Sequence, residues 1–116
     1  MKDSATSAGQ RRQLSRAARD AFPALGIYAV RNRDRHVRVG SSRNVHATLN
    51  RIQFELRLGT HPDRPLQADW DRDPSSLVFE VLELVKQRSD PAFDYAAELG
   101  ALEEIYRAEL GIGSDA

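Results

Sequence analysis

The fold is decided by one stretch of sequence, GIYAVRNRDRHVRVGSS, which occupies residues 26–42. In its first part, apolar side chains alternate, with Ile27 and Ala29 on one face and Tyr28 and Val30 on the other. Such alternation is typical of a β-strand. Residues 32–36 are polar, and the alternation resumes in residues 37–39. The stretch therefore predicts a β-hairpin with a loop of about four or five residues.

The segment after the hairpin predicts an amphipathic helix. Asn44 is a favourable N-cap residue, and Gly59 stands where a glycine commonly ends a helix. Apolar residues between them recur at the spacing of one helix face. They are Val45, Leu49, Ile52 and Leu56.

The second half of the chain predicts three further elements. Pro65 opens a short helical turn that runs to Trp70. Residues 77–85 are mostly apolar, which predicts a central strand buried on both faces. Asp90 and Pro91 are suited to cap and start a last helix. Its apolar stripe consists of Tyr95, Leu99, Leu102, Tyr106 and Leu110.

Together these elements predict one small α/β domain of the α+β kind, with a three-stranded, at least partly antiparallel sheet flanked by helices. We place the domain in residues 24–111. An N-terminal tail and helix in residues 1–22 precede it, and a C-terminal tail in residues 112–116 follows it. A length of 116 residues leaves no room for a second domain.

The composition argues against several classes of protein. The chain has no cysteine, which excludes disulfides, thiol nucleophiles and cysteine-based zinc sites. No apolar stretch approaches the roughly 20 residues that cross a bilayer. Residues 1–10 lack the apolar core of a secretory signal. We therefore expect a cytoplasmic protein with no membrane partner.

Charge is distributed unevenly along the chain, although the net charge is zero. Residues 1–60 carry 12 basic and 4 acidic side chains, a balance of +8, and residues 61–116 carry 5 basic and 13 acidic ones, a balance of −8. Fifteen of the 17 cations are arginines, whose planar guanidinium suits phosphate. This asymmetry favours a nucleic-acid partner for the first half. The alternative is that the two halves pair with each other across the folded surface.

The common catalytic motifs are missing from the sequence. There is no glycine-rich phosphate loop of the Walker or dinucleotide kind. The three histidines lack the spacing of a helical metal site, and no serine stands in a nucleophile elbow. Any chemistry is therefore expected around the hairpin.

The hairpin and several later segments resemble the GIY-YIG nuclease family. Residues 26–28 match the first half of its signature, and Arg38-Val39-Gly40-Ser41 stands where the family usually has Tyr-Ile-Gly-Ser. The resemblance continues through Gly59, through residues 66–70 and 79–83, and into the last helix. It covers residues 24–110.

This resemblance implies a DNA endonuclease that hydrolyses phosphodiester bonds with a single divalent cation, Mg²⁺ or Mn²⁺. It implies that Tyr28 helps to activate the attacking water and that Glu103 holds the cation. Other family positions are replaced. The second signature tyrosine is Arg38, the family's helical arginine falls on Thr48, and a supporting histidine falls on Ile52.

Several arginines are candidates for binding phosphate. Arg38 cannot act as a base, because its guanidinium stays protonated, but it can replace the charge lost at Thr48. Arg51 lies one turn beyond Thr48 on the same side of the predicted helix, so it can reach the same phosphate. A cluster of arginines with few acidic neighbours is a candidate nucleic-acid surface. Besides Arg38, it contains Arg31, Arg33, Arg35 and Arg43.

Each candidate also has a purely structural interpretation. Tyr28 can be a core tyrosine, Glu103 can form a salt bridge with a nearby arginine, and Arg51 can be a solvated side chain. Three functions therefore stay open. The chain can be a DNA endonuclease, a degenerate module that binds DNA in a regulatory role without cutting it, or a scaffold whose basic and acidic halves meet across a homodimer.

Overall fold

Three antiparallel strands form the sheet of this computed structural model, which describes residues 22–112. β1 (Gly26–Asn32) and β2 (Arg35–Ser42) make the predicted hairpin. β3 (Leu77–Leu84) pairs with the other side of β1, so the strand order is β2-β1-β3. The predicted α+β class and the three-stranded sheet are confirmed.

Helices cover both faces of the sheet. α1 (Val45–Leu58) follows the hairpin, α2 (Arg64–Arg72) follows α1, and a short 3₁₀ turn (Pro74–Ser76) leads into β3. α3 (Tyr95–Glu109) is the last element of the described chain. No helix in residues 22–112 is long and apolar enough to cross a membrane.

The hairpin turn is tighter than predicted. Asn32 pairs with Arg35, so only Arg33 and Asp34 lie outside the strands. Arg33 adopts a positive φ of 57°, and its N–H donates to the Ser76 carbonyl over 3.0 Å. This end of the sheet is solvated, so polar residues can belong to its strands. The polarity of residues 32–36 therefore did not distinguish strand from loop.

The prediction of a central β3 is wrong, because β1 is the central strand. Its first five residues are buried, whereas most of β3 is half-buried. Glu80 and Glu83 interrupt the apolar run of β3, and both carboxylates accept hydrogen bonds from side chains at the surface. A strand with such positions fits an edge, where solvent and ion pairs satisfy its acidic groups.

α1 has the predicted boundaries. The Asn44 side chain accepts a hydrogen bond from the Ala47 N–H over 3.1 Å, and Gly59 ends the helix with a φ of 75°. All residues of the predicted apolar stripe are buried. α2 is longer than the predicted turn, because Asp63 caps it and the helix then runs to Arg72.

α3 begins later than predicted, at Tyr95 instead of Pro91. The Asp90 carboxylate accepts from the Ala92 N–H, and the Asp90 carbonyl accepts from the Phe93 N–H, which makes a separate turn. Asp94 then caps the helix through the Ala97 N–H over 3.0 Å. Both aspartates are good caps, so the local sequence did not distinguish them.

Two hydrophobic clusters hold the helices on opposite faces of the sheet. Tyr28 and Val30 pack with the apolar stripe of α1 on one face. Ile27, Ala29 and Val39 pack with Leu99 of α3 on the other. This confirms the predicted alternation along β1.

The predicted N-terminal tail and helix lie outside the described residues, apart from Phe22, and so does most of the predicted C-terminal tail. The domain boundaries stay predictions.

Candidate functional site

A cavity of about 430 Å³ lies beside the edge strand β2. It brings together Tyr28, Arg38 and Glu103, which are far apart in the sequence. Within residues 22–112, the lining consists of Tyr28, Val37, Arg38, Val39, Gly40, Ser41, Asp63, Glu103, Arg107 and Ile112.

The position of β2 at the edge explains how residues from both faces of the sheet meet. Tyr28 belongs to the cluster on the α1 face, whereas Glu103 lies on α3, which packs on the other face. In the described part of the chain no strand lies beyond β2, so side chains from either face reach the same space around it. An edge strand also leaves backbone groups unpaired. One of them, the Val39 carbonyl, accepts from Arg107 Nη2 over 2.8 Å.

Tyr28 lies directly opposite Gly40 in the hairpin. A Cβ atom at Gly40 would lie 2.5 Å from the Tyr28 hydroxyl oxygen and 2.7 Å from the ring carbon that carries it. Glycine therefore allows the tyrosine ring to lie against β2. Tyr28 is 7% exposed. Its hydroxyl group is not left buried without a hydrogen-bond partner. Tyr28 is thus a core residue that also lines the cavity.

Glu103 is held by Arg107, which lies one helical turn further along α3. Arg107 Nε donates a hydrogen bond to Glu103 Oε2 over 3.0 Å, and Arg107 Nη2 lies 2.9 Å from the same oxygen as an ion pair. Glu103 Oε1 makes no hydrogen bond with any residue in 22–112. The salt bridge considered for Glu103 therefore exists, but it uses one of the two carboxylate oxygens.

Arg38 is held by Asp63, at the start of α2. Arg38 Nη1 donates to Asp63 Oδ2 over 3.1 Å, and Asp63 Oδ1 caps α2 through the Leu66 N–H. The Asp63 N–H donates in turn to Nδ1 of the buried His61 over 3.0 Å. Arg38 Nε is the one buried side-chain polar atom within residues 22–112 that lacks a hydrogen-bond partner. The guanidinium is therefore fixed at one end and has unused donors at the other.

Among the described residues, the carboxylates that line the cavity leave one oxygen without a hydrogen bond, Glu103 Oε1. Across the part of the chain that the structure describes, no group of three or more histidine, cysteine or acidic residues could enclose a metal ion. Mg²⁺ commonly binds through one or two carboxylates and takes its other ligands from water and phosphate. Glu103 Oε1 is free for such a role.

Arg51 does not line the cavity and is exposed on α1. At the other family positions on this helix, the Thr48 hydroxyl forms a 2.6 Å hydrogen bond with the Ser42 hydroxyl, and Ile52 is buried in the core. The face of α1 next to the sheet thus contributes packing here. Among the described residues, the cations that line the cavity are Arg38 and Arg107.

The predicted nucleic-acid surface divides into paired and unpaired arginines. Arg31 Nε lies 3.3 Å from Glu80 Oε2, and Arg33 Nη2 lies 3.6 Å from Asp73 Oδ2. Arg35 and Arg43 are exposed and form no ion pair with residues 22–112. The halves of opposite charge therefore pair with each other in part, and some positive charge is left over.

A second cavity, of about 360 Å³, continues the first along β2. The two cavities share Val37, Asp63 and Ile112, and Arg35 lines the second. The unpaired Arg35 thus lies along the same surface as Arg38.

Tyr106, the aromatic residue three positions after Glu103, belongs to the packing of α3. Its hydroxyl donates to Glu83 Oε1 over 2.8 Å, which ties α3 to β3. This hydrogen bond is the main cause of a raised Tyr106 pKa, with smaller contributions from burial and from the negative charge of Glu83.

The sequence interpretation missed Arg107 and Asp63. For Arg107 a signal existed, because a glutamate and an arginine at i and i+4 on a helix commonly pair. For Asp63 the position before a proline-containing helix start indicated a cap, but its contact with Arg38 depends on how α2 packs on β2.

Comparisons with known proteins agree with this fold. No family model and no curated protein matches the chain. The solved catalytic domain of the homing endonuclease I-TevI is similar, with a TM-score of 0.60 at 20% identity over 75% of this chain and 88% of that one. A glutamate-to-alanine variant of the same domain gives 0.59 at 19% identity over 75% and 84%. The chain therefore has the fold of a GIY-YIG nuclease domain, as the resemblance predicted.

Proposed function

We propose that this domain, which has the GIY-YIG nuclease fold, binds DNA at the cavity beside β2 and hydrolyses a phosphodiester bond there. One observation carries the proposal: Tyr28, Arg38 and Glu103 line the same cavity although they come from different faces of the sheet. The similarity to the catalytic domain of a homing endonuclease supports DNA as the substrate.

Tyr28 is suited to orient the attacking water. Its ring is fixed against Gly40, so the hydroxyl has one well-defined place in the cavity. In hydrolysis the water oxygen bonds to phosphorus while the bond to one sugar oxygen breaks. A hydroxyl that accepts a hydrogen bond from the water positions it for this step.

Arg38 is suited to bind the phosphate. Because its guanidinium does not deprotonate, it cannot replace the second signature tyrosine as a base. The hydrogen bond to Asp63 uses Nη1, and Nη2 of Arg38 makes no hydrogen bond with residues 22–112, so Nη2 is available for a non-bridging phosphate oxygen. Arginine and phosphate form such charge-assisted hydrogen bonds readily.

Glu103 is the residue that would hold Mg²⁺ or Mn²⁺, through Oε1. A bound divalent cation stabilises the negative charge that develops on the phosphate during hydrolysis. The contribution of the chain is to fix the Glu103 carboxylate, which the hydrogen bond and the ion-pair contact from Arg107 do.

The test is cleavage of single- and double-stranded DNA in Mg²⁺ or Mn²⁺ by the full chain and by Glu103→Gln. Glu104→Gln is the matched control, because Glu104 is the exposed neighbour on α3 and does not line the cavity. We expect Glu103→Gln to lose about 10²-fold or more in rate, since charge stabilisation at a transferred group is worth that much. We expect Glu104→Gln to cut at the rate of the unchanged chain. Equal cleavage by both variants would contradict the assignment of Glu103.

A second candidate function is DNA binding without cleavage. It is favoured by the charge pairing in the cavity, where Arg107 already holds Glu103 and Asp63 already holds Arg38. This module would bind DNA with an affinity that falls steeply as salt rises, and it would leave the DNA intact in both metals. Cleavage that depends on Glu103 decides against it.

A further inference from the structure

We infer that Arg107 is a second phosphate-binding residue of this cavity and that it also positions Glu103. The inference deepens the proposed function and rests on it. It starts from the hydrogen bonds of one guanidinium group, which the sequence interpretation did not single out.

Arg107 has donors left over after its contacts with the protein. A guanidinium carries five N–H groups. Arg107 Nε donates to Glu103 Oε2, and Arg107 Nη2 donates to the Val39 carbonyl and lies in ion-pair contact with the same Glu103 oxygen. Nη1 makes no hydrogen bond with residues 22–112, and the side chain is 30% exposed where it lines the cavity.

The contact with Val39 distinguishes this pair from an ordinary ion pair on a helix surface. Arg72 and Asp69 of α2 form such an ordinary pair, with 3.2 Å between Nη1 and Oδ1 and an Arg72 side chain that is 71% exposed. Pairs of that kind contribute a few tenths of a kcal/mol. Arg107 is bound instead at two places, on its own helix and on the edge strand. The guanidinium is therefore held in one orientation before any ligand arrives, which reduces the entropy lost on binding.

Within the described residues, α1 supplies no cation to the cavity. The helical arginine that the family resemblance implies falls on Thr48, whose hydroxyl is bonded to Ser42. Arg51 does not line the cavity. A phosphate in the cavity therefore meets two guanidinium groups, Arg38 on β2 and Arg107 on α3.

The same hydrogen bonds give Arg107 its positioning role. The hydrogen bond from Nε and the ion-pair contact of Nη2 both use Glu103 Oε2, so the carboxylate is fixed while no residue in 22–112 hydrogen-bonds to Oε1. Arg107 thus contacts the phosphate through Nη1 and positions the Glu103 carboxylate through Nε and Nη2.

The test measures DNA affinity against salt concentration, in the presence of a chelator so that no cleavage takes place. The full chain is compared with Arg107→Met, with Arg107→Lys and with Arg72→Met as the matched control. A lost phosphate contact lowers the slope of log K against log salt by about 0.9. We expect this change for Arg107→Met, with about tenfold weaker binding at low salt. We expect the slope of the full chain for Arg107→Lys, which keeps the charge, and for Arg72→Met.

The Glu103→Gln background separates direct contact from positioning. If Arg107 contacts phosphate, Arg107→Met lowers the slope in this background as well. The same slope for Arg107→Met and Arg72→Met would overturn the inference while leaving the proposed function in place. Failure of the unchanged chain to bind DNA at all would instead overturn the proposed function.

A second measurement applies if Arg107→Met does not fold. Inorganic phosphate is titrated into the unchanged chain, and the Nε–H signal of Arg107 is followed by NMR. We expect a saturable shift of this signal and none for the Nε–H of Arg72. Absence of a shift at Arg107 overturns the inference.

Discussion

Gly40 shows how a single residue type serves both the fold and the site. The position of Tyr28 depends on the missing side chain of its cross-strand partner, since any Cβ there would overlap the phenol ring. In the sequence, Gly40 is recognisable only as the glycine of the family signature, without the reason for it. The reason for the glycine became visible once the register placed it opposite Tyr28.

We predict that Gly40→Ala displaces the Tyr28 ring. The expected result is a loss of about 1–3 kcal/mol in the free energy of unfolding, because overpacking forces side chains and backbone to shift. DNA cleavage is expected to fall together with it. Urea unfolding and single-turnover cleavage measure the two effects.

Gly100→Ala is the matched control for this substitution. Gly100 lies within α3, and a Cβ atom there would have no neighbour within 4 Å. Alanine is favoured over glycine inside a helix, so this variant is expected to gain up to about 1 kcal/mol. If Gly40→Ala behaved like Gly100→Ala in both measurements, the close packing of Tyr28 on β2 would not matter.

At the scale of elements, local signals predicted the hairpin and α1 well and the boundaries elsewhere less well. α1 has one strong N-cap, a regular apolar stripe and a glycine at its end, so every local preference agrees. The start of α3 offered two suitable aspartates, and only Asp94 became the cap. The order of the strands depends on which strand the other two pair with, and the apolar run of β3 does not encode that choice.

The candidate site shows the same difference between features of a single element, which the sequence predicted, and contacts between elements, which it did not. The sequence predicted Tyr28, Arg38 and Glu103 as candidates, and the structure gathers them in one cavity. Their roles stay predictions. The contacts of Arg107 with Val39 and of Asp63 with Arg38 connect separate elements, so periodicity within one element could not reveal them.

We predict that Asp63→Asn separates the two tasks of Asp63. Asparagine caps helices as well as aspartate does, so α2 is expected to keep its stability. The variant loses the charge that holds Arg38, and a displaced catalytic group costs rate. We expect kcat to fall about tenfold or more, with no weakening of DNA binding, because a negative charge is removed from the cavity.

Asp94→Asn is the control, since Asp94 caps α3 in the same way and does not line the cavity. Its kcat is expected to stay at the level of the unchanged chain. A normal kcat for Asp63→Asn would mean that Arg38 needs no support from α2.

At the scale of the whole molecule, the opposite charges of the two halves partly cancel within the fold. Glu80 lies against both Arg31 and His36, and Asp73 lies near Arg33. These contacts join residues from the basic half to residues from the acidic half. The net balance of a segment is therefore a poor measure of the electrostatic field at the protein surface, because paired charges contribute little to that field.

We predict that the unpaired arginines contribute to DNA binding and that the paired ones contribute to stability. Arg35→Met and Arg43→Met are each expected to lower the slope of log K against log salt by about 0.9, with little change in the free energy of unfolding.

Arg31→Met is expected to leave the slope nearly unchanged, because Arg31 already donates to Glu80 and to the Arg33 carbonyl. It is expected to lose up to about 1 kcal/mol in the free energy of unfolding, as is usual for a part-exposed ion pair. Salt titrations of DNA binding and urea unfolding of the three variants measure both quantities. If Arg31→Met lowered the slope as much as Arg35→Met did, DNA would be breaking the contact with Glu80, and the binding surface would then extend across β1 to β3.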